Sequence, residues 1–324
     1  MAYKTQALVS LILLSLLTFS SSQPNNGLLG VYWGQGHRED DLKTTCDTGK
    51  YEIVLLAYLI VFGDGQEPFL YLYNHCYNHD CTGLEPQIKH CQAKGIKVFL
   101  SLGGPFWEMY SLNSTNDAKE VAKYLHTNFL TGKHGPLGSV YLDGIEFNIR
   151  WTKDHWDDLV KELHFLRHTK GPHFLLSAAP LCHIPVLFLD KAIQTQLFDH
   201  IFVRFYDDES CEYNILTNDT QPLLESWDNW VNLVPFGSNN SLFLGLPAAI
   251  TASGTGFAPA TVVNNQLPGL EVIGYVGVDC GIGFNAGITF YGIVVGLPAN
   301  FIFEAPYNGK TLSLREATDC YFKV

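Results

Sequence analysis

The chain has 324 residues, 47% of them hydrophobic, and a formal net charge of −12. This length and apolar content suffice for one large domain with its own core. The negative charge disfavours binding to nucleic acids or to anionic membrane surfaces. The sequence also lacks the carboxylate spacing of an EF-hand, which disfavours a calcium-storing role.

The amino-terminal segment has the layout of a secretory signal peptide. Lys4 precedes an apolar run from Ala7 to Leu17, and small residues end the segment at Ser22. The run is too short for a membrane-spanning helix, and no later apolar run is long enough. We therefore expect a signal peptide over residues 1–22, a mature domain over residues 23–324 and no membrane partner. The expected location is extracellular, in the apoplast, or vacuolar if a sorting signal is present.

Cysteine usage fits an oxidising compartment. All eight cysteines lie beyond residue 22, and no pair has the C-x-x-C spacing of a zinc site. Disulfides are therefore expected, with no metal and no cofactor. Three sequons predict glycosylation at Asn113, Asn218 and Asn239.

Short apolar runs alternate with amphipathic stretches along the chain. The predicted strands are Leu28–Trp33, Ile53–Val61, Ile96–Leu102, Ser139–Asn148, Phe174–Ala179, Ile201–Tyr206 and Leu242–Leu246. The predicted helices are Leu84–Lys94, Ala118–Leu130, His155–Thr169, Lys191–Leu197 and Pro222–Val231. Such alternation indicates parallel strands joined by crossover helices, and seven strands before residue 250 favour a single-domain TIM (β/α)8 barrel over a doubly wound sheet.

Chemically distinctive residues follow several of these strands. Tyr32, Trp33 and Gln35 end the first strand, residues 143–150 end the fourth, and Tyr206 ends the sixth. Because the carboxyl ends of barrel strands meet at one rim, aromatic and acidic groups there predict a sugar-binding site. Taken one at a time, the same residues could instead cap the core or a helix.

Four segments carry a family resemblance. They read VYWGQ from Val31, KVFLSLGG from Lys97, LDGIEFNIR from Leu142 and GLPAA from Gly245. In this order they closely resemble plant class III (hevamine-like) chitinases of glycoside hydrolase family 18 and their non-catalytic relatives. The resemblance covers about residues 27–267 and implies the barrel fold, whereas residues 268–324 are divergent.

The resemblance also implies a disulfide pattern. The matching cysteines would pair as Cys46–Cys91, Cys76–Cys81 and Cys182–Cys211. Cys280 and Cys320 fall outside the matched region, and their pairing with each other is a guess from parity alone.

Hydrolysis in the resembled enzymes depends on a D-G-x-D-x-D-x-E motif after the fourth strand. Its glutamate protonates the glycosidic oxygen, and the aspartate two residues earlier supports the attacking N-acetyl group of the substrate. The resemblance places Asp143, Glu146, Asn148 and Arg150 at the four acidic positions, along one interior line of the barrel.

Two of these replacements remove the chemistry. Asn148 carries no charge, and the guanidinium of Arg150 stays protonated, so it cannot serve as an acid. We therefore predict a degenerate motif without a catalytic acid. As a structural role, we expect Arg150 to pair with Glu146 or Asp143.

Other positions in the cleft depart from the family as well. Tyr206 is retained, but Arg204 stands where the enzymes have a glutamine, and bulky residues follow Gly104 where they have small ones. The residues predicted to contact a ligand are Tyr32, Trp33, Gln35, Phe106, Trp107, Asp143, Arg204 and Tyr206.

The end of the chain lacks a family feature. No tryptophan follows Trp230, although the last strand of the family's barrel carries one that forms the bottom of the sugar-binding site. Either the eighth strand is rebuilt from Val272–Val276 or Thr289–Val295, or the stretch reflects a faulty gene model.

The sequence thus predicts a secreted, monomeric chitinase-like protein of plant defence that is not an enzyme. Its expected partner is chitin or another N-acetylglucosamine-containing glycan. The alternative is a proteinaceous inhibitor of foreign glycosidases, similar to the xylanase inhibitors that resemble this family, with a glycosidase as partner. A weakly active chitinase that uses Glu146 as the acid ranks third.

Overall fold

The computed structural model describes residues 28–36, 39–77, 80–106, 109–152, 154–234, 241–267, 274–278, 305–307 and 310–312. The expected signal peptide, Trp107, Asn239, Cys280 and Cys320 therefore lie outside the described residues. Within the described ranges, no helix is both long and apolar enough to cross a membrane.

Eight parallel strands form a closed barrel. The sheet closes because the first strand pairs with the second on one side and with the last on the other. In chain order the strands are β1 (Leu28–Trp33), β2 (Ile53–Val61), the short antiparallel β3 (Phe69–Leu70), β4 (Lys97–Gly103), β5 (Gly144–Asn148), β6 (Leu175–Ala178), β7 (His200–Arg204), β8 (Ser241–Gly245) and β9 (Gly274–Val278). The predicted TIM barrel is confirmed.

Two strand predictions need adjustment. The expected strand Ser139–Asn148 is shorter, because Leu142 and Asp143 donate their backbone N–H groups to Phe129 and Val98 before β5 begins. The eighth barrel strand is β9, which starts two residues after the predicted Val272–Val276. The other candidate, Thr289–Val295, lies outside the described residues. A separate antiparallel pair follows, formed by β10 (Ala305–Tyr307) and β11 (Lys310–Leu312).

Helices cover the outside of the barrel. They are α1 (Leu42–Asp47), α2 (Glu85–Ala93), α3 (Thr115–Phe129), α4 (Trp156–Thr169), α5 (Asp190–Gln194), α6 (Gln221–Leu233) and α7 (Ala260–Gln266). The start of α3 precedes the predicted Ala118 because the Ser114 side chain accepts a hydrogen bond from the Asp117 N–H and caps the first turn. The short α1 was not predicted, and Asp41 caps it in the same way.

Strand alternation divides the core into two layers. Val31, Trp33 and Val54 pack between the strands and the helices, whereas Tyr32 and Leu55 belong to the inner cluster of the barrel. Successive side chains of a strand point to opposite faces, so one residue of difference decides which layer a side chain enters. The inner layer leads up to the carboxyl ends of the strands.

Three disulfides join the described cysteines. They are Cys46–Cys91, Cys76–Cys81 and Cys182–Cys211, as the resemblance implied. Their sequence separations are 45, 5 and 29 residues. The third bond ties the segment after β6 to the segment after β7, and thereby fixes two neighbouring loops at the carboxyl end of the barrel.

Two of the predicted glycosylation sites lie within the described ranges. Asn113 and Asn218 are both exposed. The Asn113 side chain donates to Asp64 Oδ1 at 2.6 Å, and Asn218 Oδ1 accepts from the Tyr213 hydroxyl at 2.9 Å. Exposure is what attachment of a glycan requires, and glycosylation stays a prediction at both positions.

Removing the Cys182–Cys211 bond is expected to cost more stability than removing Cys76–Cys81. The chain-entropy model assigns about 3.5 kcal/mol to the longer loop and about 2 kcal/mol to the shorter one. The double variants Cys182→Ala/Cys211→Ala and Cys76→Ala/Cys81→Ala serve as a matched pair. Urea unfolding followed by tryptophan fluorescence measures both, and an equal loss of unfolding free energy would contradict the expectation.

Candidate functional site

The side chains of Glu146, Asn148 and Arg150 follow β5 upward on the inner face of the barrel. Glu146 and Asn148 are fully buried, and Arg150 lies just beyond the end of the strand with 12% of its side chain exposed. Alternation along the strand places all three on one face. We call the carboxyl end of the barrel, around Tyr32, Asn148, Arg150, Arg204 and Tyr206, the barrel mouth.

Glu146 is held by two neutral hydroxyl groups. Ser101 Oγ donates to one carboxyl oxygen and Tyr32 donates to the other at 2.7 Å. Burial raises the pKa of Glu146 to about 7, and it outweighs these hydrogen bonds and the positive charges of Arg204 and Arg150, which lower the pKa. Glu146 therefore holds or releases a proton near neutral pH, but it does so inside the barrel.

Hydrogen bonds continue from Glu146 to the barrel mouth. Asn148 Nδ2 donates to the Tyr32 hydroxyl at 3.0 Å, and Arg150 Nε donates to Asn148 Oδ1 at 3.1 Å. The Tyr32 hydroxyl donates its hydrogen bond to Glu146, so the hydroxyl oxygen must accept the bond from Asn148 Nδ2. The amide oxygen of Asn148 therefore faces Arg150. This order fixes the orientation of the Asn148 amide.

Arg150 reaches across the barrel mouth to the segment after β7. Its Nη1 lies 3.9 Å from Asp207 Oδ2, and its backbone N–H donates to the Tyr110 hydroxyl at 3.0 Å. Asp207 in turn accepts from the Gly254 N–H at 2.9 Å, beyond β8. Among the described residues Arg150 thus forms its ion pair with Asp207, whereas the expected partners were Glu146 or Asp143.

A second guanidinium lies at the end of β7. Arg204 is 1% exposed, its Nε donates to the Ala179 carbonyl at 2.9 Å, and its guanidinium carbon lies 6.0 Å from the centre of the Tyr206 ring. Burial and the charge of Arg150 lower the pKa of Arg204. Burial also raises the pKa of Tyr206 to about 12, so this hydroxyl stays protonated at neutral pH.

Aromatic rings line the opposite side of the mouth. The Tyr58 ring centre lies 6.1 Å from that of Tyr32 and 6.3 Å from that of Phe106, and Phe106 also meets Tyr71 at 5.9 Å. Gln35 donates to the carbonyls of Ala57 and Tyr71 at 2.6 and 2.8 Å. The structure thus places Phe106 at the mouth and gives the Gln35 amide nitrogen a role in joining β1 to β2.

Two predicted site residues lie elsewhere. Asp143 accepts from Lys97 Nζ at 3.0 Å and from the Val98 N–H at 3.0 Å, at the amino end of β5, so the prediction that it shares a line with Glu146 was wrong. An offset of three residues puts the two on opposite faces of a strand. Trp33 is similarly displaced from Tyr32, and its ring packs 4.2 Å from His75 in the outer layer.

Two residues of the site were missed from the sequence. Ser101 faces Glu146 because the two are register partners across β4 and β5, and a serine at an inward position of an apolar strand was an available signal. Tyr58 gave none, because a register shift in β2 places it. From the sequence, the pair Asp207 and Asp208 after the sixth strand could cap a helix or hold the sugar rim, and the structure places Asp207 beside Arg150 at the mouth.

The described residues offer one group of three possible metal ligands close together. Cys182, Asp208 and Cys211 bring ligand atoms within 4.8 Å of one another. Both cysteines are joined in a disulfide, so neither can supply the thiolate that a metal needs. This group therefore does not form a metal centre.

Comparisons with known proteins agree with this fold. The model of the family described as glycosyl hydrolases family 18 matches residues 29–263. An acidic endochitinase of Phaseolus angularis is 43% identical over 299 residues, which cover 89% of this chain and 96% of that protein.

Solved structures with other descriptions share the fold. A xylanase and alpha-amylase inhibitor protein from Scadoxus multiflorus has a TM-score of 0.70 and 37% identity, covering 78% of this chain and 92% of its own. A tamarind chitinase-like lectin has a TM-score of 0.65 and 32% identity, covering 78% and 93%. Proteins described as enzymes, inhibitors and lectins thus have the same barrel.

Glu146→Gln is expected to remove a pH dependence of stability. The folded protein holds the Glu146 proton more tightly than the unfolded chain does, so the stabilisation is present below about pH 4.5 and is lost as the pH rises through about 7. The loss amounts to about 3 kcal/mol. The glutamine amide resembles the protonated carboxyl, so the variant should gain stability over the unmodified protein at pH 8 and not at pH 4.5.

Urea unfolding at pH 4.5, 6 and 8 measures this difference. Glu120→Gln, on the exposed face of α3, is the matched control and should show no such trend. A constant difference between Glu146→Gln and the unmodified protein at all three pH values would contradict the assignment.

Proposed function

The chain belongs to glycosyl hydrolase family 18, and from this premise we propose that it binds glycans without hydrolysing them. The proposed ligands are glycans that contain N-acetylglucosamine. The Phaseolus angularis relative is named an endochitinase, and chitin belongs to this class of glycans. The name of the tamarind lectin adds support for a binding role on this barrel.

One observation carries the proposal. Arg150 occupies the inner face directly beyond β5, with its Nε on Asn148 and its Nη1 toward Asp207. A guanidinium stays protonated at physiological pH and cannot deliver a proton to a glycosidic oxygen. Losing a general acid costs on the order of 100- to 10,000-fold in rate. The positive charge also opposes a transition state with oxocarbenium character.

Glu146 is a poor substitute for the missing acid. Its carboxyl group is fully buried and bound on both oxygens by Ser101 and Tyr32. It also precedes Arg150 by four residues, which is about 13 Å along an extended strand. A glycosidic oxygen held at the mouth would therefore lie out of its reach. This geometry ranks a weakly active chitinase as the least supported function.

Sugar binding finds support in the rings of the mouth. The partly exposed ring of Phe106 provides aromatic surface of the kind that packs against the apolar face of a pyranose ring, and the buried ring of Tyr58 lies against it. Arg150, with 12% of its side chain exposed, adds guanidinium donors for hydroxyl and acetamido oxygens. We also propose that the protein is secreted, which the three disulfides favour because such bonds persist in oxidising compartments.

Inhibition of a foreign glycosidase is the second candidate. It is favoured by Phe106, which packs on Tyr58 and Tyr71 and fills part of the mouth. A filled groove handicaps a lectin more than an inhibitor, since an inhibitor contacts its target through surface loops. The similarity to the Scadoxus multiflorus inhibitor points the same way.

Purified protein is expected to bind chitin oligosaccharides saturably and to release no product from them. Isothermal titration with triacetylchitotriose measures binding, and chromatography of the same sample after long incubation measures turnover. Arg150→Glu should not restore hydrolysis, because Asn148 still lacks the charge of the supporting aspartate.

Two outcomes decide between the functions. Turnover that disappears in Glu146→Gln would overturn the loss of hydrolysis, since it would show that the buried carboxyl is the working acid. Absence of oligosaccharide binding together with inhibition of a fungal xylanase would replace the lectin by the inhibitor. Glu120→Gln, far from the mouth on α3, controls for general effects of removing one acid.

A further inference from the structure

Two histidines form a pair on the outer surface of the barrel. His164 and His168 lie four residues apart in the second half of α4, a spacing that places both side chains on one face of the helix. His168 is exposed and His164 is half-buried, so an ion in solution can reach both rings. The last turn of α4 leads into β6 at the amino end of the barrel, and the pair therefore lies away from the barrel mouth.

The ring nitrogens of this pair approach each other closely. His164 Nε2 lies 3.2 Å from His168 Nε2, and the two ring planes are inclined by 62°. Zinc–imidazole bonds are about 2.0–2.1 Å long, so two imidazole ligands of one tetrahedral ion lie about 3.3 Å apart. The two nitrogens thus already have the separation that a shared metal ion requires.

The same approach also satisfies a hydrogen bond between the two rings. One Nε2 carries the hydrogen and donates it, and the other accepts through its lone pair. A neutral imidazole can hold its hydrogen on Nδ1 instead. A change of tautomer in the donor ring therefore directs both Nε2 lone pairs toward one ion, and no proton has to leave the protein.

Two positive side chains of α4 lie near the pair, and each has an ion-pair partner. Arg167, three residues after His164, contacts Asp199 at 2.5 Å. Lys161, three residues before His164, contacts Asp157 at 2.5 Å. These carboxylates offset the charges that would repel a metal ion. The last turns of a helix also lie at the negative end of its dipole, where a cation is stabilised.

A third histidine lies close by without joining the pair. The ring centre of His173, on the segment that leads into β6, is 6.5 Å from that of His168. In the part of the chain that the structure describes, no three histidines bring ligand nitrogens within 4.8 Å of one another. His173 is thus an exposed ring beside the pair and outside its geometry.

We propose that His164 and His168 bind one divalent transition-metal ion, copper(II) more tightly than zinc, with water at its remaining positions. Imidazole suits these ions, and affinity at nitrogen sites is highest for copper. Calcium and magnesium prefer oxygen ligands and do not fit this pair. The expectation that the chain holds no metal came from the spacing of its cysteines, which does not bear on a histidine pair. This site is also independent of the proposed glycan binding.

Titration with copper tests the site directly. Copper(II) chloride is added to the purified protein, carrying no histidine tag, in weakly competing glycine buffer at about pH 7.5, and isothermal titration measures the affinity. His164→Gln and His168→Gln should each weaken the tightest binding by about 100-fold, because two linked ligands gain affinity of this order over one. His173→Gln, the matched control, should leave it unchanged. Zinc chloride should bind the unmodified protein more weakly than copper does.

Electron paramagnetic resonance gives a second readout that does not depend on the affinity or on the folding of a variant. The spectrum of the unmodified protein with one equivalent of copper should show two coordinated imidazole nitrogens. The spectra of His164→Gln and His168→Gln should show one. A spectrum of the unmodified protein without two such nitrogens would overturn the proposal.

Three titration results would also overturn it. They are the absence of saturable copper binding, an undiminished affinity in both pair variants with native circular dichroism, and an equal loss of affinity in His173→Gln. The last result would show that copper binds to exposed histidines in general, without a site formed by His164 and His168.

Discussion

A closed barrel directs alternate side chains of every strand into one small interior. In β5 this places Glu146 and Asn148 inside the protein, where each polar atom needs a partner to offset the loss of water. The partners come from neighbouring strands, as Ser101 from β4 and Tyr32 from β1 complete the carboxyl group. The hydrogen bonds of the buried Glu146 carboxyl thus fix the orientations of the polar side chains above it in the mouth.

That order extends outward through a sequence of donors. Tyr32 donates a hydrogen bond to Glu146, Asn148 donates one to Tyr32, and Arg150 donates one to Asn148. Each step fixes the orientation of the next group, so the position of Arg150 depends on a carboxyl group deep in the barrel. The protonation of Glu146 near neutral pH is therefore connected to the charge balance of the whole mouth.

The barrel itself does not decide the function. Solved structures described as an inhibitor and as a lectin share its fold at TM-scores of 0.70 and 0.65. Function in such a fold depends on the side chains at the strand ends. In the described part of the mouth those side chains are two guanidiniums, the amide of Asn148, the carboxylate of Asp207 and several aromatic rings.

The sequence by itself determined the fold and the disulfide pattern. Alternating apolar runs and amphipathic stretches predicted a parallel barrel, and the family resemblance implied the three disulfides that the structure contains. The resemblance also implies that Arg150 stands at the position of the family's catalytic acid, which stays a prediction. These features could be predicted because they depend on local periodicity or on the identity of one residue.

Only the tertiary structure decided which residues meet. The separation of Asp143 and Trp33 from the mouth follows from strand parity, which the sequence could have indicated. The ion pair of Arg150 with Asp207, the contact of Tyr58 with Phe106 and the enclosure of Arg204 could not be predicted. They depend on a register shift, a positive φ and the closure of β1 on β2 and β9, which bring together residues far apart in the chain.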